Sequence, residues 1–118
     1  MRIAITLFIF ALLITCTSRR KEALYVLPNE MLPHVKTHYA QQCEKGYMLW
    51  KKNCAGCHTR IEKRKEIIPD FKQEQLTGYT LRVQNKRHET NLLDSVVTEE
   101  DLATIMTFLT YKKRNTDQ

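Results

Sequence analysis

The sequence predicts a mostly α-helical domain, with two long helices flanking a loop-rich middle. From Pro33 onward, Val35, Tyr39, Cys43, Gly46/Tyr47 and Trp50 recur every three to four residues, the spacing of one helix face. From Thr98 onward, Leu102, Ile105, Met106 and Leu109 do the same, and Phe108 widens the stripe. Between residues 59 and 97 no apolar run is long enough to demand a strand, and no hairpin turn signal is evident.

The chain begins with a segment outside that domain. Arg2 gives a short positive start, and Ile3 to Ile14 is apolar apart from Thr6. Such a run is shorter than the roughly 20 residues needed to span a bilayer. It suits the core of a secretory signal, so residues 1–15 are expected to be a signal peptide and the mature protein to be exported. Leu13-Ile14-Thr15-Cys16 looks like a bacterial lipoprotein signal, although Thr15 stands where Gly, Ala or Ser is usual. A lipid on Cys16 would tether the protein to the periplasmic face of a membrane. Ordinary cleavage nearby and an uncleaved anchor are the alternatives.

Residues 16–32 read as a linker. Ser18 to Glu22 is charged without an apolar period, and Pro28 and Pro33 break any helix between them. The domain is expected over residues 33–112. Its first helix should start at Pro33, which suits a first turn, and run to about Lys52. Cys43 lies on its apolar stripe and is expected to be a buried, inert thiol. A short helix is expected near Lys72 to Leu76, with turns at Gly78 and Asn85. The last helix should span about 99 to 112. Thr98 is a good N-cap, and Glu99, Glu100 and Asp101 complement the helix dipole. Lys112, Lys113 and Arg114 would load its last turn, and residues 113–118 form a polar tail.

A domain of about 80 ordered residues with two main helices has a thin core, and domains of that size usually need a staple or a metal. Residues 54–58, Cys-Ala-Gly-Cys-His, offer one. C-x-x-C-H is the attachment signature of c-type haem. Two thiols three positions apart reach the two vinyl groups of one porphyrin, and the adjacent histidine meets the iron. Ala55 and Gly56 are small enough for the turn to lie against the ring. Covalent attachment takes place outside the bacterial cytoplasm, where the signal would deliver the chain. The packing argument is independent of the motif, since a bound haem would give the loops a large apolar face.

Other chemistries use the same residues. A thioredoxin-like thiol pair wants a strand before it and a βαβ setting, whereas a helix precedes Cys54. A zinc site would need a fourth ligand beside Cys54, Cys57 and His58, and His88 or Cys43 could serve. The cysteine count does not discriminate, because Cys43 is left over in each case.

The full chain has 19 basic and 13 acidic residues, a net charge of +6. Loss of residues 1–15 removes Arg2 and no acidic residue, leaving +5. Lys51, Lys52, Arg60, Lys63, Arg64 and Lys65 gather around the motif. Such a patch can steer an acidic partner or be a solvated surface. Nucleic acid is not an expected partner for an exported chain.

Gly46-Tyr47-Met48-Leu49-Trp50, three residues, then the C-x-x-C-H motif resembles the opening of small class I cytochromes c. Ile68-Pro69-Asp70-Phe71 looks like that family's Gly-Pro-x-Leu segment with Ile68 in place of Gly, and Thr98 to Leu109 is similar to its closing helix. The resemblance covers about residues 40 to 112. It implies a cytochrome c-like fold, with the two terminal helices packed around one covalent haem c. Cys54 and Cys57 would form the thioethers and His58 the proximal iron ligand. The Pro69 carbonyl would accept a hydrogen bond from the other His58 nitrogen. Gly46 would let the closing helix cross near Trp50 and Phe108.

The family usually supplies its sixth ligand as a methionine in the loop before the closing helix, and no Met lies between His58 and Met106. His88 stands ten residues before Thr98 and is the expected distal ligand. Met106, His34, His38, Met48, Cys43 and an open position are the alternatives. The resulting expectation is a monomeric, membrane-tethered monohaem cytochrome that carries single electrons between protein partners and has no catalytic residues. A five-coordinate haem that binds a small ligand, or turns over peroxide weakly, is the second reading. A haem-free thiol oxidoreductase is the third.

Overall fold

The computed structural model describes residues 23–78, 88 and 97–117. Cys16 and the expected signal peptide lie outside these residues, as do the expected turn at Asn85 and the loop around His88. In chain order the elements are helix α1 (Pro33–Asn53), the single turn α2 (Ala55–His58), strands β1 (Arg60–Glu62) and β2 (Lys65–Ile67), helix α3 (Gln73–Thr77), helix α4 (Glu99–Tyr111) and a 3-10 turn at Asn115–Asp117. The described chain is mostly helical. No described helix is long and apolar enough to cross a membrane.

Helix α1 begins without a side-chain cap, and Pro33 takes the position where a missing N–H costs nothing. Lys51 and Lys52 sit in its last turn, where the dipole favours positive charge. Its stripe buries Cys43, Gly46 and Trp50. Helix α4 begins as its sequence foretells, with the Thr98 hydroxyl accepting from the Asp101 N–H at 3.1 Å. Its stripe buries Ile105, Phe108 and Leu109.

The two stripes face each other. Tyr39 meets Tyr111 edge-on with ring centroids 5.6 Å apart, and Tyr47 tilts against Phe108 at 5.3 Å. At the closest point Gly46 lies against the backbone of α4. A Cβ there would collide with the Thr104 carbonyl oxygen and stand 2.8 Å from the Phe108 Cβ. The expectation that Gly46 admits the closing helix is met in the packing.

The remaining core is small. Leu27, Ile68 and Leu76 complete a cluster of eight buried apolar residues among the described ones, which agrees with the thin core foreseen from chain length.

Three expectations need correction. The chain does form a hairpin: β1 and β2 pair antiparallel, Arg60 opposite Ile67, Ile61 opposite Glu66 and Glu62 opposite Lys65. Its two-residue turn uses Lys63 (φ 48°) and Arg64 (φ 66°), not the Asn-Gly or Asp-Gly that announces such turns.

Part of the expected linker is structured. Tyr25 bridges to Lys112, Val26 N–H donates to the Tyr111 carbonyl at 2.9 Å, Lys113 N–H donates to the Leu24 carbonyl at 2.9 Å, and Leu27 is buried. These ties are mostly backbone bonds, which no side-chain period encodes.

The expected polar tail is also attached. Lys112 caps α4 with its side chain almost wholly buried, and its ammonium meets Asp70 Oδ1 at 2.5 Å and the Lys113 carbonyl at 2.7 Å. Asn115 donates its backbone N–H to Asp70 Oδ2 at 3.0 Å and its side-chain amide to the Ile68 carbonyl at 3.1 Å. No basic residue remains in the last turn of α4 to complement the dipole.

Candidate functional site

The motif sits where α1 runs out. Cys54 N–H still donates to the Trp50 carbonyl at 2.8 Å. Its backbone then turns (φ −121°), and α2 restarts as one helical turn. Cys57 and His58 donate to the Cys54 carbonyl at 3.2 and 3.0 Å, and Thr59 donates to Ala55 at 2.9 Å. Cys54 and Cys57 are three apart in this turn, the spacing at which helical side chains share a face. Both thiols are free. Cys57 and His58 are exposed, while Cys54 is partly covered.

Burial, and secondarily the neighbouring Cys57, pushes the Cys54 thiol up to about 11. An attacking thiol in disulfide exchange needs a substantial thiolate fraction at neutral pH. A thioredoxin-like pair also wants a strand before it, and here helix α1 runs up to Asn53. Among the described residues no three His, Cys, Asp or Glu side chains converge within reach of one ion, and a closed zinc site takes four ligands. Cys43, one candidate fourth ligand, is wholly buried at the helix crossing, its sulfur 4.0 Å from the Thr107 carbonyl and its thiol pushed up to about 11, first by burial and then by Glu44.

An aromatic wall stands beside His58. Trp50 is 5.9 Å from it and Phe71 6.5 Å, ring centre to ring centre, and Trp50 and Phe71 are themselves 5.9 Å apart. Trp50 is held in place by its indole N–H, which donates to the Thr59 hydroxyl at 3.0 Å. Phe71 is set by the segment before it, since Asp70 is clasped by Lys112 and Asn115. Burial alone would raise the Asp70 pKa. The Lys112 ammonium, the Asn115 N–H and Arg114 outweigh it and hold the carboxyl below its ordinary range.

Pro69 lies in that same segment, half-buried. Among the described hydrogen bonds none joins its carbonyl to His58. The sequence singled out the segment through Pro69, but the ring at Phe71 and the clasp at Asp70 tie it more visibly to the site. Nothing in their spacing signals either role.

His88 comes to His58. The two imidazoles are near-parallel, 19° between planes, with centroids 6.0 Å apart. They are 30 residues apart in sequence, so the fold and not local structure brings them together.

The other ligand candidates lie elsewhere. His34 and His38 are exposed on the first turns of α1, and Met48 is exposed further along it. Met106 is packed against the core from α4. A cavity of about 80 Å³ opens between Asp70, Phe71, Leu109 and Lys112, and no residue of the C-x-x-C-H motif lines it.

The basic residues around the motif are displayed outward. Arg60, Lys63, Arg64 and Lys65 are exposed on the hairpin, and Lys51 and Lys52 on the end of α1. Glu66 fastens the hairpin to α1 by accepting from the Tyr47 hydroxyl at 2.8 Å, with Lys51 at 4.0 Å. Burial first, and then Glu66, pushes the Tyr47 phenol up to about 12.

No protein-family model, curated protein or solved structure matches the chain.

Proposed function

We propose that the chain is an exported monohaem c-type cytochrome, tethered through a lipid on Cys16, that carries single electrons between protein partners at the periplasmic face of a bacterial membrane. The observation that carries this reading is the approach of the His88 imidazole to His58, ring centres 6.0 Å apart, beside the C-x-x-C pair. On this reading Cys54 and Cys57 would hold the haem covalently, and His58 and His88 would hold its iron. Trp50 and Phe71, with ring centres 5.9 and 6.5 Å from that of His58, would help to hold that imidazole's orientation. The haem supplies one-electron chemistry by alternation of its iron between ferrous and ferric. With His58 and His88 both holding the iron, no place would be left for a substrate, and the potential would be lower than with a His/Met pair. The fold this implies is cytochrome c-like, with α1 and α4 as the terminal helices and the covalent group as the missing mass of the core.

The test is covalent attachment. The full chain, co-expressed with haem-attachment machinery, is run on a denaturing gel and stained for haem peroxidase activity, beside Cys54→Ala/Cys57→Ala. A stained wild-type band that is lost in the double variant supports the reading. An unstained wild-type band overturns it.

A further inference from the structure

We infer that residues 24–32 form a strap that rests on the bilayer surface, with Leu24, Val26 and Leu32 against lipid and Arg19, Arg20 and Lys21 drawing anionic headgroups beside them. The inference rests on the membrane attachment at Cys16 in the proposed function. It deepens that reading by naming the face of the domain that meets lipid.

The first observation is the length of the tether. The folded body is reached at Leu24, whose carbonyl accepts from the Lys113 N–H at 2.9 Å. Seven residues separate Cys16 from Leu24. Eight Cα steps of about 3.5 Å span at most about 28 Å. Helix α1, with 21 residues, is about 32 Å long. A leash shorter than the longest helix keeps the strap within reach of the bilayer at all times. At such an effective concentration a weak contact is enough.

The second observation is the surface of the strap. Leu24 and Val26 are exposed, while Tyr25 is half-buried and Leu27 buried, the alternation of an extended chain with one face turned out. The inner face is occupied, since the Tyr25 hydroxyl donates to Glu44 at 3.3 Å and Leu27 joins the core. On the outer face Leu24 is 37 % exposed and Val26 61 %. Leu32, beyond the turn at Pro28–Met31, is also 61 % exposed. Three of the five exposed large apolar side chains among the described residues thus fall in the segment next to the tether. Scattered apolar residues on a surface are ordinary, but a cluster beside an anchor has an obvious occupant.

The third observation is charge. Arg19, Arg20 and Lys21 stand in the tether against Glu22 alone, and Glu30 is the only carboxylate in residues 23–36. Adsorption to a bilayer strengthens with both buried apolar area and attraction to anionic lipid. A protein partner would have to displace a bilayer that the tether already holds against this face.

The test uses the full chain, reconstituted into phosphatidylglycerol/phosphatidylcholine vesicles with plain or brominated acyl chains. Bromine quenches tryptophan only where the ring enters the acyl region, and the chain's single Trp50 gives the baseline. The ratio of emission in the two vesicles is read for wild type, Val26→Trp and Ile61→Trp, so that any quenching by bound haem cancels. Val26 and Ile61 are both exposed, so neither substitution disturbs the core. The emission added in Val26→Trp is expected to fall about twofold in brominated vesicles, and that added in Ile61→Trp to stay unchanged. Adding Leu24→Ser/Leu32→Ser to Val26→Trp, or replacing Arg19, Arg20 and Lys21 by Gln in it, should weaken the quenching by about half. Equal quenching in Val26→Trp and Ile61→Trp, no quenching in Val26→Trp, or quenching indifferent to those added substitutions overturns the inference. Mass spectrometry of the same samples reports whether Cys16 carries lipid. A lipidated chain without quenching in Val26→Trp sinks the strap and leaves the anchor standing. Quenching in a chain without lipid does the reverse, and neither readout depends on the haem stain.

Discussion

Where α1 crosses α4, the contact is apolar and enclosed, and a glycine backbone touches a helix backbone. Two turns further along α1, the surface is charged and open, and the side chains with chemistry project from a single turn of helix and a strained hairpin. The crossing includes Cys43 and Phe108, both wholly buried. The motif includes Cys57 and His58, both exposed. Burial decides what each region tolerates. At the crossing a change of one methyl is felt as stability, because nothing nearby can move aside. At the motif the same change leaves the fold standing and alters what the surface can bind. Between the two regions stands the Asp70–Lys112–Asn115 clasp, which ties the end of α4 to the segment carrying Phe71 against His58.

The comparison can be broken at its strongest point by Gly46→Ala. The added methyl meets the Thr104 carbonyl, a backbone atom with no rotamer to change. Overpacking should cost about 3 kcal/mol, against about 1 kcal/mol regained from alanine's helix propensity. Urea unfolding should therefore show a loss of about 2 kcal/mol or more. An unchanged midpoint would mean that the helices do not cross here.

Asp70→Ala comes next. It leaves the Lys112 ammonium, only 4 % exposed, with the Lys113 carbonyl as its remaining recorded partner. Asp70 itself is 26 % exposed, so solvent already shares in its solvation. The expected loss is about 2 kcal/mol, measured by the same unfolding curves.

The smallest effect is a pH dependence. The folded pKa of Asp70 lies below its unfolded value of about 3.9. Between the two values the unfolded chain binds the extra proton, so stability rises with pH there. The Asp70 contribution is thus complete above about pH 4 and is lost as pH falls through the folded pKa. Asp70→Ala should remove that part of the acid sensitivity and leave the rest. Identical acid profiles would mean that the clasp does not form in solution.

The same contrast explains what could be read from the residues alone. Helices α1 and α4 were legible because their buried faces repeat with helical spacing, and Thr98 and Pro33 mark their starts. Gly46 was legible for its place on the stripe. The C-x-x-C-H motif stood out by its residue types and spacing, and the structure places it on a single turn of helix. The hairpin was not. Its strands bury little, so they show no alternation, and its turn uses Lys63 and Arg64 where a signal would be Asn or Gly. The attachment of residues 24–27 was hidden for another reason, since it runs largely through backbone hydrogen bonds. Lys112 read as a charge for the helix dipole, and only the fold could show its ammonium turned inward to Asp70, 42 residues earlier. His88 was singled out by its place in the chain, and its approach to His58 depends on tertiary structure that no local pattern records.

The measurement that bears most directly on the central claim is the absorption spectrum of the purified full chain, co-expressed with haem-attachment machinery, ferric and then reduced, beside His88→Ala. Two histidines on one iron predict sharp low-spin bands in the reduced wild type, turning high-spin and open to carbon monoxide in the variant. A wild type that is already high-spin and binds carbon monoxide, or a low-spin spectrum that His88→Ala leaves untouched, would contradict the pairing of His58 with His88 on which the account rests.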